Sequence, residues 1–248
     1  MEPAKHALSI VLPAYDEEAN IVEAVRRATD VAERLCSDHE VIVVDDGSQD
    51  RTADIVHDIA LRDPRVRLIR HPDNLGYGEA LRSGFRAARL DYVFFTDADN
   101  QFDLNDLERF LPWAGRVDVV AGFRANRSDP IFRHINAKAW NYLVRALFYV
   151  PVRDINCAFK LFRRSLFDEI EIESGGAMVN TELMVKLGRA GASVVEFPVM
   201  HYPRTAGTAR GANPLVIIRA FRELARMRRQ LQSVGVPEAW HPPVDAAM

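Results

Sequence analysis

Short runs of consecutive apolar residues alternate along the first half of the chain with stretches in which apolar residues recur every three or four positions. Residues 8–12, 40–46, 66–69, 92–95 and 117–123 are runs of the first kind, too short for helices and rich in β-branched or aromatic side chains. Each predicts a buried strand. Between the first two, Ile21, Ala24, Val25, Ala28, Val31, Ala32 and Leu35 fall at helix spacing, behind the acidic start Asp16-Glu17-Glu18. A second helix is predicted over 52–61, stopped before Pro64, and a third through Ala88. A fourth is predicted over 104–111, with Asp103 as its N-cap. Pro13 closes the first strand. Strands alternating with helices at this spacing predict parallel βαβ units with right-handed crossovers, hence one α/β domain around a mostly parallel sheet.

The second half is less regular. Phe132, Ile135, Trp140, Leu143, Val144, Leu147 and Phe148 predict a very apolar helix within 128–150 that also carries Arg133, His134, Lys138 and Arg145. Such a helix is buried, paired in a dimer, or laid on a membrane surface. A loop into a strand follows over 154–162, then a helix over 180–190 and a late strand over 193–199. The stretch 201–210 is a polar, glycine-punctuated loop expected near substrate. Pro214 opens a last helix reaching Leu231. Arg219, Arg222, Arg226 and Arg229 form one stripe on it, and Ile217, Phe221, Leu224, Ala225 and Leu231 the opposite face. That helix binds a membrane surface or packs on its own sheet. The expected divisions are a catalytic domain over 1–212, the basic amphipathic helix over 213–233 and a disordered tail over 234–248.

Composition narrows the class. With 248 residues, 48% apolar and 27% charged, the chain is an ordinary globular one, long enough to bury a sizeable core. No apolar run approaches the ~18 residues that span a bilayer, and no signal peptide is visible. Cys36 and Cys157 stand in unrelated contexts and are expected to be reduced core thiols of a cytoplasmic chain. The net charge of −3 hides an asymmetry. Residues 1–120 hold 14 Lys and Arg against 24 Asp and Glu, while residues 121–248 hold 18 against 11. An acidic half and a basic half suit a metal on one side and phosphate groups on the other. No nucleic-acid partner is expected.

The candidate chemistry gathers at strand ends. In parallel sheets of this kind ligands bind outside the carboxyl ends of the strands. Residues 13–17, Asp45-Asp46 and Asp97-Ala98-Asp99 all fall on that edge. Asp97 and Asp99, two residues apart after a buried strand, either hold a hard divalent cation with room for substrate phosphates or cap the next helix. The loop Asn74-Leu75-Gly76-Tyr77-Gly78-Glu79-Ala80 is a plain turn or a nucleotide contact, and it lacks the glycines of a dinucleotide fingerprint. Lys160, Arg163 and Arg164 meet phosphate or are solvated charge.

Taken together, LSIVLPAYDEEANI, VIVVDDGSQDRT, NLGYGEALRSGF, VFFTDADNQF, VRDINCAFKLFRR and VVEFPVMHYPR resemble, in order, the family-2 glycosyltransferases, and within them the polyprenyl (dolichyl) phosphate sugar synthases. The resemblance spans residues 8–210. It implies a GT-A fold, Mg²⁺ or Mn²⁺ as cofactor and inversion at the anomeric carbon. It also implies that Pro13, Tyr15, Glu17 and Asp46 line the base and ribose pocket, with Ala98 between the two aspartates. Asp97, Asp99 and Gln101 would hold the metal. Arg124, Arg133, Lys160 and Arg204 would meet donor or acceptor phosphates, and Arg210 would lie in a loop near the donor. Ala158, Ala209 and Phe123 depart from the family's usual glycine and serines.

The implied reaction moves a sugar from a nucleotide-sugar donor, GDP-mannose or a UDP-sugar, to a polyprenyl phosphate at the cytoplasmic face of the membrane. The chain would act there as a peripheral protein, directly or through an integral-membrane partner. A lipid monophosphate needs no general base, because its oxygens are already anionic at neutral pH. A sugar-hydroxyl acceptor would need one, with Asp154 or Glu182 as candidates. The remaining alternative is a non-catalytic nucleotide-sugar-binding module.

Overall fold

The structure, a computed structural model, describes residues 6–126, 131–148, 150, 152–176, 178–204, 206 and 221–229, without the side chains of 126 and 131–138. Seven strands form one sheet in the order β3-β2-β1-β4-β6-β5-β7. They are β1 (Ala7–Ala14), β2 (Asp38–Asp45), β3 (Val66–Arg70), β4 (Tyr92–Thr96), β5 (Val119–Asn126), β6 (Phe159–Arg163) and β7 (Val194–Met200). All neighbours pair in parallel except β6, which runs antiparallel to both β4 and β5. Helices α1 (Ile21–Leu35), α2 (Thr52–Ala60) and α3 (Tyr77–Ala87) carry the first crossovers, and α4 (Ile131–Phe148), α5 (Leu166–Glu169) and α6 (Val179–Arg189) belong to the second half. The α/β, mostly parallel architecture is the one the apolar pattern predicts.

Register explains where chemistry can sit. Ala14 pairs with Asp45 and Val11 with Phe95, so β1, β2 and β4 end side by side. Because β6 is reversed, its first residue pairs with the last of β4 (Phe159 with Thr96), which brings the preceding loop to the same edge. Arg124 of β5 pairs with Val199 of β7 and completes that edge.

Two local expectations are corrected. Pro13 does not end β1, which runs on to Ala14 against β2. The β4 ladder stops at Val11, so the missing N–H of Pro13 interrupts no pairing on that side. The stretch 104–111 is no α-helix but two 3₁₀ turns, Leu104–Arg109 and Leu111–Trp113, with Pro112 unable to continue a longer helix. Asp103 does cap the first turn, accepting from Asn105 N at 3.0 Å.

The apolar α4 packs on its own domain. Val144 is fully buried, and Trp140, Leu143, Leu147 and Phe148 lie against the core. Residues 221–229 are helical and rest on it through the Trp140–Phe221 ring pair, centroids 5.6 Å apart. Leu224 and Met227 are buried there, while Ala225, Arg222, Arg226 and Arg229 face solvent. Arg219 and the boundaries expected at 212 and 233 lie outside the described residues, as does the tail. Among the described residues no helix is long and apolar enough to cross a membrane.

Candidate active site

Two loops are built into a wall on one side of the edge. Asp46, 3% exposed, follows β2 and accepts from Leu75 N at 3.0 Å and Gly76 N at 2.8 Å, with His71 Nδ1 at 2.7 Å. Glu182, 2% exposed on α6, accepts from Glu173 N at 2.8 Å and Ser174 N at 2.6 Å, and pairs with Lys186 at 2.7 Å. The two clamped loops meet backbone to backbone, Gly78 N donating to Gly175 O at 2.9 Å. A Cβ on Gly78 would stand 2.0 Å from the Ser174 carbonyl oxygen. The glycines of 74–80 therefore serve loop packing. Their small size is what the close approach of the two loops requires.

The wall holds Tyr77, whose hydroxyl donates to Asp97 Oδ1 at 2.8 Å. Asp97 and Asp99 lie in the turn after β4. Asp99 Oδ1 accepts from Gln101 N at 3.1 Å, and Asn100 takes a left-handed φ of 59°. That turn is tied down from outside. Asn100 Nδ2 donates to Asn20 O at 3.0 Å and Arg27 Nη2 to Phe102 O at 2.8 Å. The segment after β7 crosses it, with Tyr202 N donating to Gln101 O at 2.7 Å and Gln101 Nε2 to Tyr202 O at 2.9 Å. Arg204 then reaches Glu17, in an ion pair, and Asp99 Oδ2 at 3.5 Å.

Burial and the neighbouring Asp99 push the Asp97 carboxyl up to about 7, and burial raises Asp99 as well. Two enclosed carboxylates in one turn disfavour each other's charge unless a cation sits between them. Hard oxygens with remaining coordination sites suit Mg²⁺ or Mn²⁺. Among the described residues no group of three His, Cys, Asp or Glu surrounds one point. A metal here would take two carboxylates and the Gln101 amide oxygen, and complete its shell from water and substrate phosphate.

Other expected residues are placed less simply. Arg124 is bidentate to Asp154, at 2.6 and 2.8 Å, so this cation and this candidate base occupy one another. Lys160 is corrected as a phosphate contact. It has no solvent exposure, and its ammonium donates to the carbonyls of Ile155 and Cys157 and to Asn180 Oδ1. Burial pushes it down to about 8. Asp46 holds the loop wall with both oxygens, and Pro13, Ala98 and the part-exposed Tyr15 sit on the edge as expected. Arg210 lies outside the described residues, as does the side chain of Arg133. Tyr77 had a sequence signal only as a member of the loop 74–80, and Asn20 and Arg27 none beyond their place in or before the first helix.

Residues 9–171 match the family described as Glycosyl transferase family 2. The chain belongs to that family. Among its relatives is Glycosyltransferase AglD of Haloferax volcanii, 35% identical over 209 residues, covering 79% of this chain and 33% of the relative. Another is the undecaprenyl-phosphate 4-deoxy-4-formamido-L-arabinose transferase of Pseudomonas fluorescens, 34% identical over 165 residues, with coverages of 66% and 48%. The chain thus spans a third to a half of the length of these relatives. A mannosyltransferase of Pyrobaculum calidifontis, solved with GDP-Man and Mn²⁺, shares the fold at a TM-score of 0.68 and 21% identity, over 96% of this chain and 68% of that one. The GT-A fold follows.

Proposed function

We propose that this family-2 domain is an inverting glycosyltransferase that moves a sugar from GDP-mannose or a UDP-sugar to a polyprenyl phosphate at the cytoplasmic face of the membrane. One observation carries the choice of acceptor. Both carboxylates that could deprotonate a hydroxyl are engaged elsewhere, Asp154 by Arg124 and Glu182 by two backbone N–H groups and Lys186. An acceptor that is already anionic needs neither. The names of the undecaprenyl-phosphate relatives agree with a lipid phosphate.

In this reading the protein's part is binding, orientation and charge. Pro13, Tyr15 and Glu17 line the nucleoside pocket, and Asp46 holds its loop wall. Asp97, Asp99 and Gln101 hold Mg²⁺ or Mn²⁺, which when bound supplies positive charge to the departing diphosphate. Arg204, with Arg133 and Arg210, meets phosphate. The test is transfer of labelled sugar to a short-chain prenyl phosphate against the matching prenyl alcohol. Transfer to the phosphate is expected. Transfer to the alcohol, lost in Asp154→Asn or Glu182→Gln, would establish a hydroxyl acceptor instead, and donor binding with neither transfer nor donor hydrolysis would leave a binding module.

The exposed Arg222, Arg226 and Arg229, on the same helix as Phe221 at 49% exposure, support a peripheral contact with an anionic membrane surface. Vesicles containing anionic lipid should co-float with the protein at low salt and release it at high salt. Absence of flotation in both would point to recruitment by an integral-membrane partner.

A further inference from the structure

Arg204 is enclosed by acidic and carbonyl groups. It pairs with Glu17 Oε1, its Nη1 lies 3.5 Å from Asp99 Oδ2, and its Nε donates to Ala206 O at 2.7 Å. Asn20 closes the ring, its Nδ2 donating to Glu17 Oε2 at 2.6 Å and to Ala206 O at 3.4 Å. The side chains of Glu17, Asp99 and Arg204 are 12, 12 and 19% exposed, so each charge must be offset by its neighbours more than by water. One oxygen of Asp99 accepts from Gln101 N, and the other faces Arg204.

We propose that Arg204 is the resident counter-cation of Glu17 and Asp99, competing with the divalent metal for Asp99 when no nucleotide is present and cooperating with it once a diphosphate is bound. The inference rests on Asp97 and Asp99 being the metal's ligands. A metal on Asp99 Oδ2 brings a second positive charge against the guanidinium inside a partly desolvated site, where like charges repel strongly. A donor diphosphate adds negative charge that both cations can share, and a guanidinium matches phosphate oxygens with paired N–H donors. The same side chain therefore opposes metal binding in one state and supports it in the next.

Mn²⁺ binding to the full chain, read by electron paramagnetic resonance, separates these effects. Without nucleotide, Arg204→Met should bind Mn²⁺ about tenfold more tightly than the parent. Arg204→Lys, which keeps the charge, should stay within about twofold. With GDP or UDP present, whichever tightens Mn²⁺ binding to the parent, the order should reverse and Arg204→Met should bind more weakly. A folded Arg204→Met that binds Mn²⁺ alone no more tightly than the parent overturns the proposal and leaves the metal reading intact. A parent that binds no Mn²⁺ overturns both. Should Arg204→Met fail to fold, the Arg204 Nε–H resonance of the parent decides, since it should move on adding Mg²⁺, and an unmoved signal at saturation overturns the proposal.

Discussion

Asp46 and Asp99 follow parallel strands on either side of β1, and both are more than nine-tenths buried. Their surroundings differ in kind. Asp46 has two backbone N–H groups and a histidine nitrogen against its oxygens, all from the loop it shapes. Asp99 has one backbone N–H from its own turn, with an arginine from the far end of the chain across from its other oxygen. Local donors satisfy the first carboxylate completely, whereas the second is left to cations, whether arginine or metal. An acidic residue at a strand end becomes structure or site according to how many backbone donors the following loop turns toward it. Glu182 repeats the first case and Asp97, with a tyrosine hydroxyl as its donor among the described residues, the second.

The contrast is tested most severely at the cation-seeking carboxylates. Asp99→Ala should lower sugar transfer by about 10³-fold or more, the scale of removing a principal electrostatic contact to the transition state, with the thermal melt little changed. A variant that stays active, or a parent that stays active in EDTA, would place Asp99 with the structural carboxylates.

The wall should respond in the opposite way. Gly78→Ala drives a Cβ into the Ser174 carbonyl oxygen, a backbone atom that cannot swing aside. It should cost about 3 kcal/mol of stability, read from denaturant midpoints. Glu182→Gln keeps one acceptor oxygen but loses the charge that holds Glu173 N, Ser174 N and Lys186. It should cost about 2 kcal/mol while transfer by the remaining folded enzyme changes little. A fall of 10²–10⁴-fold at unchanged stability would instead mark Glu182 as a general base.

The sequence carried the strands well, because uninterrupted apolar runs such as 41–44 have only one place to go in a sheet covered on both faces. It also placed the acidic motifs on one edge, since the carboxyl ends of β1, β2 and β4 must coincide once the crossovers are right-handed. It could not tell Asp46 from Asp99, because the difference lies in donors contributed by loops 25 or more residues away. Lys160 misled for the same reason. A lysine between apolar residues reads as a cation aimed at phosphate, and only the folded loop 154–158 shows that carbonyl oxygens enclose it. The two 3₁₀ turns were missed because their apolar spacing imitates a helix until Pro112 is weighed.

The smallest effect expected is also the most specific to Asp97. Its carboxyl is raised from the ordinary carboxylate range to about 7, first by burial and then by the charge of Asp99. A group whose pKa is higher folded than unfolded binds its proton more tightly in the folded state. Its contribution is therefore fully present below about pH 4 and disappears as the pH rises through about 7. Metal-free protein should accordingly lose stability, by about 1 kcal/mol, between pH 6 and pH 7. Asp97→Asn should flatten that slope, since a neutral amide pays no penalty for ionising. Saturating Mg²⁺ should flatten it too in the parent, by favouring the ionised form. The corresponding change at the structural carboxylate, Asp46→Asn, should leave the slope in place and lower the whole curve. Denaturant unfolding of the three proteins at pH 5, 6, 7 and 8 measures this directly. A slope that survives in Asp97→Asn would mean that Asp97 is not the group left short of a partner, and that the two regions differ less than their hydrogen bonds imply.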